Sequence, residues 1–331
     1  MAWKARNRRS VIGMAALMAV VPLALAGCGS STTTSAAPPK YPTHNITFIV
    51  PFKPGGGSDQ DVRRIQPEAQ KVLGVNWNVT YQTGGSGADG FESIYTAKPD
   101  GYTIGNLELT DLILAANTGS NVGFNPAKYK YVAFTASTPD ALVVSKSSQF
   151  KTLSDLVKYA KANPDKVTVA GVGTKGKLLV TMIEHATGTK LVYVPVSGGS
   201  GGIVTDLEGG HITTGVFGSS NAAQNASSLR ALAISSTGPD GALPGVPTFT
   251  SQGYPSVIFQ SVWGVISPPG TPSRIVNILN NAVEKAVKSS SVQAQDKKLG
   301  LTPLYQTPQQ AFQYYQSYSQ VVLNALKLEA N

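Results

Sequence analysis

The chain has 331 residues, with 27 basic and 18 acidic side chains, a formal charge of +9 and one cysteine. Four of the basic residues fall in the first nine positions; the rest of the chain carries +5 without a long basic run, which argues against nucleic-acid binding. A lone cysteine excludes a disulfide framework, and the three histidines show no paired His/Cys spacing that would suggest a metal site.

Lys4, Arg6, Arg8 and Arg9 make a basic start, followed by an apolar run over 11–26 broken only by Gly13 and Pro22, and then by Leu25-Ala26-Gly27-Cys28. This is the pattern of a secretory signal, residues 1–27, and the run is shorter than the ~20 residues a membrane-spanning helix needs. The Leu-Ala-Gly-Cys end resembles the lipobox of bacterial lipoproteins, which implies acylation of Cys28 and an extracytoplasmic, lipid-anchored protein of the cell envelope. Residues 28–40, rich in Ser, Thr, Ala and Pro, cannot bury enough apolar surface to fold and read as a tether.

From residue 41 the chain is long enough for two cores. Residues 45–52 (NITFIVPF) read as a strand ending in Pro54-Gly55-Gly56-Gly57-Ser58-Asp59, with a helix expected over 60–73. The same grammar recurs: strand 166–170, glycine turn 171–176, helix 177–186; then strand 191–196, glycine turn 197–202 and a helix through Leu207. Alternating strands and helices predict an α/β fold. Thr152 with Asp155 forms a capping-box pattern, and Thr271-Pro272 and Thr307-Pro308 each place an N-cap before a first-turn proline.

Two glycine turns imitate enzyme motifs. Residues 171–176 match G-x-G-x-x-G, but no acidic residue follows where a dinucleotide ribose would be held, and Leu178 stands where a P-loop needs Ser or Thr. Residues 198–202 match G-x-S-x-G around Ser200, yet Asp206 and His211 follow too closely to complete a hydrolase triad, while His44 and His185 lie upstream. What remains is a set of exposed backbone N–H groups at glycine turns and helix starts, which bind carboxylate or phosphate without a basic side chain. Close backbone approach of a ligand is expected at Gly56 and Gly173.

The order of motifs resembles the substrate-binding receptors of tripartite tricarboxylate transporters, also called the Bordetella uptake proteins. The matching residues are Tyr41-Pro42, Pro51-Phe52-Lys53-Pro54-Gly55-Gly56 with Asp59 and Arg63, Gly84-Gly85-Ser86-Gly87, and Pro99-Asp100-Gly101-Tyr102-Thr103. They continue with Ala160-Lys161-Ala162-Asn163-Pro164, Asp206-Leu207 before Gly209-Gly210, Leu229-Arg230-Ala231-Leu232-Ala233, Leu243-Pro244-Gly245-Val246-Pro247-Thr248, and Trp263-Gly264 before Pro268-Pro269-Gly270. The resemblance implies a two-domain periplasmic-binding-protein type II fold, with one lobe of residues 41–143 and 262–331, the other of 144–261, and a ligand cleft between them. It implies a receptor without catalytic activity or cofactor, a monomer that takes a small carboxylate and delivers it to integral-membrane transporter subunits. A sensing receptor of a signalling system, or a serine hydrolase using Ser200, are the alternatives.

The candidate ligand contacts are Phe52, Gly55, Gly56, Gly57, Ser58 and Asp59 on the first loop, Gly173, Thr174 and Lys175 on the second, and Ser86, Asn106, Ser197, Gly198 and Gly199 around them. Thr174 and Lys177 replace the Ser and His usual in the family, so ligand identity does not carry over. Asp59 either caps the helix that follows or enters the cleft, and Lys177 either meets ligand or lies on a solvated face.

Overall fold

The computed structural model describes residues 40–118, 122–197 and 199–330; the leader, Cys28, the tether up to residue 39 and Gly198 lie outside the described residues. β1 (Ile46–Val50) leads into α1 (Gly57–Leu73), followed by β2 (Trp77–Tyr81), α2 (Ala88–Thr96), β3 (Thr103–Glu108) and α3 (Leu109–Thr118). β1 pairs in parallel with β2 and β3, as strands joined through helical crossovers must. β4 (Lys130–Ser145) is long and buried at every position but its ends. After it come α4 (Leu153–Ala162), β5 (Thr168–Gly171), α5 (Gly173–Thr187), β6 (Val192–Pro195), α6 (Gly199–Glu208), β7 (Thr214–Gly218), α7 (Ser219–Gln224) and β8 (Leu229–Ile234). β9 (Gln260–Ser267) returns to the first half, and α8 (Ser273–Val287), α9 (Ser290–Leu299), β10 (Thr302–Pro303) and α10 (Pro308–Ala330) follow.

The strand order is β2-β1-β3-β9-β4-β7-β5-β6, with β8 and β10 also paired to β4. β4 holds the halves together. Its residues 130–139 pair with β9, and from Asp140 onward it pairs with β7 and β8. The lobe boundaries expected at 143/144 and 261/262 fall inside β4 and β9. One core gathers Phe48, Ile65, Trp77, Leu279 and Val283 under α1 and α8; another gathers Ala141, Ile203, Phe217 and Ile234. Each of the Ile, Leu, Val and Phe side chains among them contributes about 1.5–3 kcal/mol on burial.

Two of the three threonine cap signals form. Thr152 Oγ1 accepts the N–H of Asp155 at 3.1 Å, and Asp155 Oδ2 accepts that of Thr152 at 2.9 Å. Thr307 and Gln310 make the same exchange before α10. Thr271 does not cap: its hydroxyl donates to the Pro268 carbonyl at 2.8 Å, and Pro272 takes the N-cap position of α8. Three helices begin earlier than the sequence suggests, α1 at Gly57, α5 at Gly173 and α6 at Gly199. The glycines expected in turns form first helical turns. A first turn has no preceding carbonyls to bond, and residues without Cβ let it approach neighbouring structure closely.

Candidate functional site

A hollow of about 390 Å³ opens between the two halves of the sheet. The first half contributes Gly56, Gly57, Asp61, Asp111, Ser261 and Trp263, and the second contributes Val172, Lys175, Gly176, Gly199, Ser200 and Phe217, with Asp140 at the junction. A neighbouring hollow of about 370 Å³ shares Gly56, Gly57, Asp111, Lys175, Ser261 and Trp263 and extends to Phe52, Ser58 and Glu108.

The N-terminal turn of α1 forms one wall. Gly56 is its N-cap and has no side-chain cap, so the first-turn N–H groups after it are available at the positive end of the helix. Gly57 is the glycine this wall requires: an added Cβ would stand 2.8 Å from Cζ2 of Trp263. At Gly56 and Gly173 the expectation concerns a ligand, and the protein's own neighbours leave both positions room. A Cβ at Gly56 would come no nearer than 3.4 Å to a carbonyl, and Gly173 has open space around it, although its φ of +55° is strained for other residues. On α5 the crowded position is Gly176, where a Cβ would meet Gly171 backbone at 2.9 Å.

Asp59 takes neither of the two places open to it in the sequence. It sits in the first turn of α1 but does not cap the helix, and it lines neither hollow. Its Oδ2 accepts the Gly55 N–H at 2.8 Å, its Oδ1 accepts the Tyr81 hydroxyl at 2.7 Å, and Arg63 Nε stands 3.0 Å away. Burial pushes its carboxyl up, but Tyr81, Gly55 and Arg63 outweigh that and hold it below the usual carboxylate range. Asp59 thus fixes the glycine turn rather than meeting the hollow.

Other candidates are displaced as well. Asn106 is wholly buried and donates to Asp61 Oδ2 at 3.1 Å and toward the Gly264 carbonyl at 3.4 Å, which turns it into the core. Ser86, Thr174 and Ser197 are exposed and line neither hollow, and Gly55 is occupied with Asp59. Phe52, Gly56, Gly57, Ser58, Lys175 and Gly199 do line them. Lys177 points elsewhere: its Nζ pairs with Glu329 Oε1 of α10 at 2.5 Å.

The residues that sequence reasoning missed are acidic. Glu108 ends β3 and accepts the Asp111 N–H at 2.6 Å, capping α3; Asp111 lies in the first turn of that helix; Asp140 interrupts the apolar run of β4. A charge inside an apolar run was the available signal. Lys175 Nζ bonds the Ser261 hydroxyl, stands 3.5 Å from Glu108 Oε1 and 4.0 Å from Asp140 Oδ2. Burial disfavours its charge, yet Asp140, Glu108 and Asp111 outweigh burial and push its pKa above that of an ordinary lysine. Burial, and then the charge of Glu108, push Asp111 well above the carboxylate range; burial also raises Asp140, against the pull of Lys175. Among the described residues no group of His, Cys, Asp and Glu is arranged to hold a metal ion. Ser200 bonds the Asn221 side chain at 3.1 Å, and no hydrogen bond among the described residues joins it to His211.

Comparison with known proteins agrees with this architecture. The sequence model of the family described as "Tripartite tricarboxylate transporter family receptor" matches residues 62–325. BugT of Bordetella pertussis is 30% identical over 312 residues, covering 90% of this chain and 93% of that protein. A Rhodopseudomonas palustris protein solved with adipate superposes with a TM-score of 0.76 at 26% identity, covering 87% of this chain and 98% of its own. MatC from the same organism, solved with bound malate, gives 0.71 at 26% identity over the same shares. The fold is the two-domain α/β fold of periplasmic binding proteins, with its cleft between the lobes.

Proposed function

Because the chain belongs to the tripartite tricarboxylate transporter receptor family, we propose that it captures a small carboxylate-bearing solute in the cleft and delivers it to integral-membrane transporter subunits. The observation that carries this reading is the wall at Gly56 and Gly57, where the uncapped first turn of α1 faces Lys175 across a hollow sized for a small molecule. N–H groups at a helix start bind a carboxylate without a counter-charge. The malate and adipate bound to two relatives are carboxylates of that size. The lobes would be residues 41–143 with 262–331, and 144–261, closing on the solute about β4 and β9. The receptor would be extracytoplasmic and monomeric, held at the membrane through a lipid on Cys28, with neither catalysis nor cofactor.

A thermal-shift screen of carboxylate-bearing solutes, with and without amino groups, tests the reading. A solute at ~100 times its Kd stabilises the fold by about 2.7 kcal/mol. Gly57→Val drives a side chain against Trp263 and should weaken that solute at least about tenfold. No stabilisation by any member of the screen would sink the receptor reading. Mass spectrometry of the membrane-recovered protein decides the anchor: an unmodified Cys28 removes it.

A further inference from the structure

We propose that the solute carries an ammonium group as well as its carboxylate, and that the ammonium seats against Asp140 and Glu108 in the cleft. This rests on the receptor reading and narrows its ligand class. Four carboxyl side chains, Asp61, Glu108, Asp111 and Asp140, line the two hollows together with two lysines, Lys175 and the exposed Lys53; Asp61 is already paired with Arg64, which leaves Glu108, Asp111 and Asp140 around Lys175. A purely anionic solute would bring negative charge beside the buried carboxyl groups of Glu108 and Asp140, where like charges repel.

Asp140 supplies the independent observation. Its side chain is only 8% exposed and lines the larger hollow, yet no hydrogen bond reaches its carboxylate among the described residues, and its nearest cation, Lys175 Nζ, stands 4.0 Å away. A carboxylate buried to that degree ordinarily has donors. Its backbone is held in place, with the N–H donating to Ser235 Oγ at 2.9 Å and the carbonyl accepting from the same hydroxyl at 2.9 Å. The backbone is held while the carboxylate lines the hollow with no hydrogen-bond donor on it among the described residues. Lys175 shows what these groups accept, since its ammonium lies between Glu108, Asp140 and Ser261. A second ammonium, on the solute, would meet the free side of Asp140, with the solute's carboxylate on the first turn of α1. A metal ion is the weaker occupant, because these groups are not arranged as a ligand set among the described residues.

Isothermal titration of the full chain with matched probes tests this: aspartate against succinate, glutamate against glutarate, and 4-aminobutyrate against butyrate. At least one amine-bearing probe should bind about tenfold or more tightly than its partner lacking the amine. Asp140→Asn, which keeps the shape of the side chain, should bring that ratio to within about threefold, and Glu108→Gln should lower it too while still accepting the Asp111 N–H. Circular dichroism and melting of each variant establish that it folds. Dicarboxylates binding as tightly as the amine-bearing probes, or a ratio unchanged in both folded variants, overturns the ammonium site and leaves the carboxylate receptor standing. Binding by none of the probes, with or without an amine, overturns both.

Discussion

Two charged clusters, one inside the first half and one between the halves, answer to different rules. Asp61, Arg64 and Asp296 are closed off: Arg64 Nη2 meets Asp61 Oδ1 at 2.6 Å and Nη1 meets Asp296 Oδ1 at 2.7 Å, with all three side chains 1–2% exposed. Thr135 and Asn106 complete the acceptors of Asp61 at 2.7 and 3.1 Å. The second cluster, Glu108, Asp111, Asp140 and Lys175, draws on both halves, is held at longer range and opens on the hollows. The first is paired within the fold by short ion pairs, although Arg64 Nε and Asp296 Oδ2 have no hydrogen-bond partner among the described residues. The second keeps acceptor capacity that a solute or water must fill, and so it can discriminate between ligands.

Arg64→Met should be the most damaging change, because it strands two buried carboxylates. Breaking such a pair from one side costs about 3–5 kcal/mol, read as a lowered urea midpoint with no requirement for ligand. Lys175→Met should cost less, about 1–2 kcal/mol, because its carboxylate partners border a hollow that admits water. It should also weaken dicarboxylate probes more than amine-bearing ones. Equal losses from the two substitutions would erase the distinction between a sealed and an open cluster.

The sealed cluster also carries a pH signature. Burial, opposed by Arg64 and reinforced by Asp61, pushes the Asp296 carboxyl up to about 6. Its folded pKa lies above its unfolded one, so the stability it contributes is full below the unfolded pKa, near 4, and is lost as pH rises through about 6. Urea unfolding across that window should show wild type losing stability relative to Asp296→Asn. A constant difference between the two proteins would mean that Arg64 keeps Asp296 ionised throughout. The smallest effect belongs to Lys177→Ala, which removes a half-exposed pair with Glu329 outside both clusters. It should change stability by no more than about 1 kcal/mol and leave the Kd of the best probe within about twofold. A larger loss of affinity would bring Lys177 back into the site.

Much of the architecture can be read along the chain. The strand over 45–52 became Ile46–Val50, the Thr152 box formed as written, and the ordered motifs identified the family. These features depend on neighbours: alternation within a strand, a hydroxyl and a carboxylate three residues apart, a glycine after an apolar run. Sequence alone could not say which glycine of the turn the fold crowds. Gly57 is constrained by Trp263, whose ring lies on β9, far along the chain. Nor could it bring the acidic residues together, since Glu108, Asp140, Lys175 and Ser261 lie on three strands and a helix and meet only where β4 changes partners. Capping and periodicity are settled by hydrogen bonds a few residues long. Whether a buried carboxylate has its acceptors filled, as Asp61 does, or left without donors, as Asp140 is among the described residues, depends on groups brought by distant segments, and only the tertiary structure decides that.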